Sequence, residues 1–294
     1  MLGDTLLRRG SRSDRMALSW LLMASQRLHC REGGERPEML LLQEGGFVWL
    51  RGRAMRGALL CSLYRAPVAR ASVLALRHLA DQELFFAHIL PLVEARLAEL
   101  GARWLCFVGN EDWLTAELAS RGYEVLAYVI AYHKAVTAEG LAIAGQRGVQ
   151  VRAAAPYEVD AILAVDAAAF GPFWRVNAAI IRQGLEPGSV LLVAEQEGAI
   201  VGYLLAHTWR YDAYVSRLGV LPLLQRQGIG QRLLSEALLL LAQDGVREVR
   251  LNTQQSNHRA RRLYEQLGFE RSGEALPYWA KPLSPIANDA SPPE

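Results

Sequence analysis

Gln225-Arg226-Gln227-Gly228-Ile229-Gly230 is the stretch whose residue types bear most directly on chemistry. Before it, residues 216–222 read as the end of a strand. After it, Leu233, Leu234, Ala237, Leu238 and Leu241 recur at helical spacing as far as Asp244-Gly245. A strand that enters a helix through a glycine-bearing loop leaves several backbone N–H groups without intrahelical partners. With the positive end of the helix dipole behind them, such donors suit a phosphate or pyrophosphate. Gly228 and Gly230 carry no side chain to hold an anion off the backbone. The same hexapeptide also serves as a plain tight connection, and alone it does not decide between the two.

The bulk properties bound what that loop can belong to. A chain of 294 residues, 51% hydrophobic and 21% charged, is long enough for two ordinary globular domains. A net charge of +2 argues against a nucleic-acid or anionic-membrane partner recognised by charge. Cys30, Cys61 and Cys106 are odd in number and widely spaced, and no Cys/His cluster suggests a metal. Residues 1–15 lack the apolar core of a signal peptide and no apolar run approaches 18 residues, so a cytoplasmic protein is expected.

The elements that position the loop follow from periodicity. In the first half, residues 13–29 carry helical spacing. Strands are expected at 38–42 or 47–50, then at 58–64, 71–76, 104–108 and 125–132, with helices at 84–100 and 112–121. Residues 138–148, with Gly140, Gly145 and Gly148, read as a linker between domains 1–137 and 149–283. The second half repeats the order: a strand at 149–153, helices at 157–170 and 177–184, and a hairpin of 190–194 with 200–209 around Glu197-Gly198. A strand at 214–220, the loop and its helix, a strand at 246–253, a helix at 257–267 and a strand at 274–281 follow. Residues 284–294, rich in Pro, Ser and Ala, read as a disordered tail. Gly101-Ala102-Arg103-Trp104-Leu105 is echoed by Gly245-Val246-Arg247-Glu248-Val249, and Asn110…Gly122-Tyr123-Glu124 by Asn257…Gly268-Phe269-Glu270. The fold class expected is α/β, two tandem units that are each a mixed sheet flanked by helices.

The second half resembles the GNAT family, the Gcn5-related N-acyltransferases. The resemblance rests on Gln225, Gly228 and Gly230 in the loop and on Leu218, Val220 and Pro222 before it. About thirty residues on, Asn257, Ala260, Leu263-Tyr264 and Gly268-Phe269 complete it. It covers residues 149–283 well and the first half in outline. It implies that two neighbouring strands splay apart to admit acetyl-CoA (coenzyme A), with Gln225, Arg226, Gln227, Gly228, Ile229 and Gly230 around the pyrophosphate. It further implies that Leu218, Val220 and Asn257 contact the cofactor, that the Val220 N–H bonds the thioester oxygen, and that Tyr264 is the catalytic acid. The function implied is acetyl transfer to a primary amine, on a small molecule or a peptide N-terminus, by a monomer or homodimer. The alternative is an acyl-CoA-sensing module without turnover.

Other residues carry two readings. Tyr264 lies three residues before Leu267 on an amphipathic helix and could serve packing alone. Asn257 is at minimum a helix cap. Arg259, Arg261 and Arg262 could reach the cofactor's adenosine phosphate or form a solvated helix face. His207 and Asp212 are the candidate bases, with a strand side chain and a loop residue as the plainer readings. Phe173 and Trp174 fall either in an acceptor wall or in an interhelical staple. The first half has no glycine over residues 77–83, where Asp81 and Glu83 would repel phosphate, and Leu118 or a neighbour takes the place of Tyr264. A degenerate unit that binds no cofactor is therefore expected, and Gly228→Glu should abolish acetyl-CoA affinity in a folded protein.

Overall fold

The computed structural model describes residues 5–30, 36–65, 67–137, 139, 141–146 and 148–283. The expected tail at 284–294 and part of the expected linker lie outside them. The chain divides into two compact units, residues 1–126 with 276–294, and residues 127–275.

The first unit contains β1 (Thr5–Arg9), α1 (Arg15–Ala24), β2 (Arg27–Cys30), α2 (Pro37–Leu40), β3 (Gly46–Arg51), β4 (Ala54–Arg65) and β5 (Val68–Leu76). A continuous helical stretch follows as α3 (Asp81–Leu84), a π-helical turn (Phe85–Ile89) and α4 (Leu90–Glu99). Then come β6 (Trp104–Val108) and α5 (Asp112–Ala119), and β7 (Glu124–Ala135) carries the chain into the second unit. The remaining elements are β8 (Gln150–Ala153), α6 (Val159–Ala169), α7 (Ala178–Gln183), β9 (Ser189–Gln196), β10 (Ala199–Trp209), β11 (Asp212–Val220), α8 (Ile229–Gln243), β12 (Glu248–Gln254), α9 (His258–Gln266) and β13 (Glu270–Pro282).

The two units are built alike. In the first, β1, β3, β4 and β5 pair antiparallel in that order, β5 pairs parallel with β6, and β6 pairs antiparallel with the end of β13. In the second, β8, β9, β10 and β11 pair antiparallel, β11 pairs parallel with β12, and β12 pairs antiparallel with β7. The last strand of the first unit thus comes from the C-terminal end of β13, and the last strand of the second is β7, which precedes its other strands in sequence. That exchange moves the boundaries away from 137 and 149: the stretch expected to be a linker sits inside the second unit, between β7 and β8. The sheet edge that β7 covers in the second unit would otherwise expose a row of unpaired backbone groups.

In the second unit the sheet is covered on both faces. β9 alternates, sending Leu192 and Ala194 to the core that holds Leu233, Leu234, Ala237, Leu238 and Leu241 of α8. Leu191 and Val193 go to the opposite core, with Val159, Ile162 and Val165 of α6 and Ile181 of α7. Glu197 and Gly198, at φ of 51° and 77°, give the β9–β10 hairpin the two left-handed residues that a tight right-twisted turn needs. Two expectations in the first half fail. Residues 13–29 are not one helix, because the chain leaves α1 at Ala24 and Arg27–Cys30 pairs with β5 instead. Residues 38–42 are not a strand; β3 is the 46–51 alternative. Among the described residues no helix is long and apolar enough to cross a membrane.

Candidate active site

Strands β11 and β12 run side by side only from Asp212–Glu248 to Val215–Leu251. β11 continues to Val220 on β10, and β12 to Gln254 on β7, so beyond Val215 the two strands part. The break coincides with a β-bulge. Leu205 stands opposite Arg217 and Ala206 opposite Val215, which leaves Ser216 as the extra residue. A bulge bends its strand and raises its twist, which turns β11 away from β12. The bond from Leu221 N–H to the Val201 carbonyl fixes the phase of the β10–β11 ladder. It makes Gly202–Val220 and Leu204–Leu218 the non-hydrogen-bonded pairs. The N–H and C=O groups of Leu218 and Val220 therefore point away from β10, to the opened side.

The loop after β11 is shaped for donors. A 3₁₀ turn (Pro222–Leu224) leads to Arg226 at φ 65° and Gly228 at φ 84°, and α8 starts at Ile229. Left-handed residues alternating with ordinary ones turn successive N–H groups toward one concavity. The N–H groups of Arg226, Gln227 and Gly228 find no partner among the described residues, and those of Ile229, Gly230 and Gln231 begin the helix without one. The Arg226 and Gln227 side chains are exposed, and Ile229 is buried in the core. Gln225 donates to the Val220 carbonyl at 3.0 Å and accepts from the Arg259 guanidinium, which joins the loop to α9. A Cβ on Gly230 would meet nothing closer than 3.5 Å. On Gly228 it would meet the backbone nitrogen of Gln146 at 3.0 Å. Gly228 is thus held to glycine by the fold itself, and Gly228→Glu would strain the backbone as well as add a charge.

Tyr264 is buried on α9. Its ring lies 5.8 Å from Tyr132 in a T-shaped contact and 6.0 Å from Phe269. The hydroxyl makes no hydrogen bond among the described residues. Burial, with Tyr214 and Tyr132 close by, pushes the phenol above its usual pKa, so it stays protonated at neutral pH. The Tyr214 hydroxyl accepts from Asn252 at 2.5 Å, and Asn252 is the first residue of β12 past the paired segment. Asn257 caps α9, its side chain accepting from Ala260 N–H at 3.1 Å. Arg259 and Arg262 are exposed, while Arg261 reaches the Tyr132 hydroxyl and the Gln255 carbonyl.

The candidate bases are not at the opening. Asp212 begins β11, eight residues before Val220 and so about 25 Å away along the strand. His207 pairs across from Tyr214 and lies 3.1 Å from the Ser189 hydroxyl; burial holds its pKa below the usual value.

A buried polar cluster had no signal in sequence. Asp166 of α6 accepts from Tyr203 at 2.6 Å, from Arg217 Nε at 2.8 Å and from Val176 N–H at 2.9 Å. Arg217 also donates to the Trp174 carbonyl at 2.5 Å and lies 3.6 Å over the Phe170 ring. Residues 170–176 are thereby clamped to β11 at its bulge. Phe173 is buried and packs edge-on against Trp174 at 4.9 Å.

The first unit has the same opening but fills it. β5 and β6 pair only from Val68–Trp104 to Arg70–Cys106, and a bulge at Ser72 matches that at Ser216. Here β2 pairs with the parted segment of β5, from Cys30–Val73 to Arg27–Leu76. Asp81 does not stand as a bare charge where phosphate would go. Its buried carboxylate is held by Arg56 and accepts from His78 N–H at 3.2 Å. Gln26 takes the Leu79 N–H at 2.9 Å. The N–H groups of His78, Leu79, Asp81 and Gln82, around the start of α3, are thus satisfied by the chain itself, and Leu118 is core.

A sequence model of the Acetyltransferase (GNAT) family matches residues 159–269, the stretch that holds the splayed strands, the loop and Tyr264. That stretch belongs to the GNAT family. The GNAT domain's likeness extends to named acyltransferases. The chain is 25% identical over 122 residues to a putative [ribosomal protein bS18]-alanine N-acetyltransferase of Bacillus subtilis, covering 42% of this chain and 81% of that one. It is 37% identical over 106 residues to N-alpha-acetyltransferase RimI of Mycobacterium tuberculosis, covering 35% and 65%. Among solved structures, a GCN5-related N-acetyltransferase from Sphaerobacter thermophilus aligns over 96% of this chain and 97% of its own, with TM-score 0.67 and 18% identity. A tandem GNAT protein from the clavulanic acid biosynthesis pathway aligns over 96% and 99%, with TM-score 0.66 and 17% identity. These two extend the likeness in fold to both units, and the family match together with the relatives' names supports an acyltransferase.

Proposed function

We propose that the second unit transfers the acetyl group of acetyl-CoA to a primary amine. The observation that carries this is the opening between β11 and β12, with the backbone groups of Leu218 and Val220 facing it and a cradle of free N–H groups at its end. The fit is chemical. A pyrophosphate suits the N–H groups of residues 226–231 at the start of α8. An arm bearing amides suits the unpaired edge of β11, as a further strand would.

Bound acetyl-CoA would supply an acetyl group activated as a thioester. The chain's own residues then have separate tasks. The Val220 N–H would stabilise negative charge on the thioester oxygen while the amine displaces the thiol. Tyr264, held protonated, offers its hydroxyl to the departing sulfur. The amine must arrive neutral; the proton it sheds on becoming an amide leaves through water, and a proton from water restores the Tyr264 hydroxyl. An α-amino group, with a pKa of about 7.7–8.0, is neutral in a useful fraction near neutral pH, whereas a lysine at about 10.4 is not. That difference and the names of the two relatives favour a peptide N-terminus as acceptor. An acceptor screen with mass-spectrometric readout tests the reading: an acetylated α-amine, with one CoA thiol released per product, supports it. Tight acetyl-CoA binding without transfer to any amine would make the protein a binding module instead.

A further inference from the structure

We propose that residues 141–146 are part of the cofactor site, a strap that fixes the direction of the donors in the pyrophosphate loop. This rests on the acetyl-CoA reading above and deepens it. Gln146 N–H donates to the Gly228 carbonyl at 3.2 Å, and Arg232 N–H donates to the same oxygen at 2.9 Å. A peptide unit is planar, so pinning the Gly228 carbonyl with two donors also sets the opposite end of that plane. That end is the N–H of Ile229, which points out of α8 into the loop. The strap thereby holds in advance a donor that would otherwise have to be ordered when the anion binds.

The approach is close enough to demand its residue types. Gly145 has φ 98°, and a Cβ there would lie 2.4 Å from the Gly228 oxygen and 2.6 Å from the Arg232 nitrogen. Gly228 in turn sits tight against the strap: a Cβ there would meet the Gln146 nitrogen at 3.0 Å and the Gly145 Cα at 3.3 Å. One α8 turn further along, buried Ser235 accepts from Ala144 N–H at 3.1 Å and donates to the Gln231 carbonyl at 2.7 Å. Leu141 packs on the core beneath α8. The two glycines are a matched pair: one shapes the loop, the other lets the strap reach it.

The test compares acetyl-CoA with S-acetylpantetheine, which has the thioester and the arm but no pyrophosphate, as ligands of the full-length protein. Gly145→Ala pushes the loop backbone aside and should weaken acetyl-CoA by about tenfold, the worth of one hydrogen bond to a charged group, while leaving S-acetylpantetheine unchanged. Ser235→Ala releases the strap without adding an atom. It should weaken acetyl-CoA selectively by about threefold, and it decides the matter if Gly145→Ala does not fold. Equal weakening of both ligands, or no change in acetyl-CoA affinity, overturns the strap's role. A wild-type protein that binds both ligands equally would overturn the pyrophosphate reading beneath it.

Discussion

The side-chain amide of Gln225 donates to the carbonyl oxygen of Val220 at 3.0 Å, while its oxygen accepts from Arg259. One residue therefore ties the end of the splayed strand, the loop and α9 into a single frame. Gln225→Ala should loosen that frame and raise the KM for acetyl-CoA by about three- to tenfold, as expected for one lost hydrogen bond to a charged partner. Steady-state kinetics at saturating acceptor reads this directly; an unchanged KM would remove Gln225 from the cofactor site.

Tyr264 makes no hydrogen bond among the described residues, so Tyr264→Phe should alter stability little. Its kcat should fall by about 10²- to 10⁴-fold, the usual worth of a positioned acid, with acetyl-CoA affinity retained. Single-turnover measurements separate this from an effect on product release. Wild-type turnover in the variant would leave the tyrosine as a packing residue.

The Asp166–Arg217 pair should dominate local stability. Arg217→Ala strands a carboxylate that is 1% exposed, and breaking a buried pair in this way costs about 3–5 kcal/mol. Guanidinium denaturation measures it. A loss under 1 kcal/mol would mean that Tyr203 and the Val176 N–H hold the carboxylate without the guanidinium.

His207 gives a pH signature in stability rather than in rate. Burial lowers its folded pKa, so as pH falls the unfolded chain takes the proton first. Its contribution is intact above about 6.5, the unfolded value, and is lost as pH falls through the folded pKa. His207→Gln should flatten that acid limb in thermal melts and keep acetyl transfer within about twofold of wild type. A large loss of rate would restore it as the base.

Much of the second unit was legible in sequence because its signals are local. The glycine loop, Asn257 and Tyr264 lie in one stretch whose periodicity gives a strand, a helix, a strand and a helix. What stayed hidden depends on contacts between distant residues. Arg217 and Asp166 each look like an ordinary charge until β11 and α6 bring them together. Arg27–Cys30 has the apolar spacing of a helix's last turn, yet it is a strand because the free edge of β5 offers it a ladder. The exchange of β7 and β13 is invisible for the same reason: a strand's pattern says that it will pair, not with which neighbour. Gly145 read as a linker glycine because nothing in its surroundings names Gly228, 83 positions on, as its contact.

The central claim is that one opening accepts acetyl-CoA while its counterpart, filled by β2 and closed by Asp81 and Gln26, does not. Titration calorimetry of acetyl-CoA into the full-length protein tests it most directly. One site per chain, lost in a charge reversal of the exposed Arg226 (Arg226→Glu), is the result expected. No binding would contradict the assignment of the loop, and two sites per chain would contradict the account of the first unit.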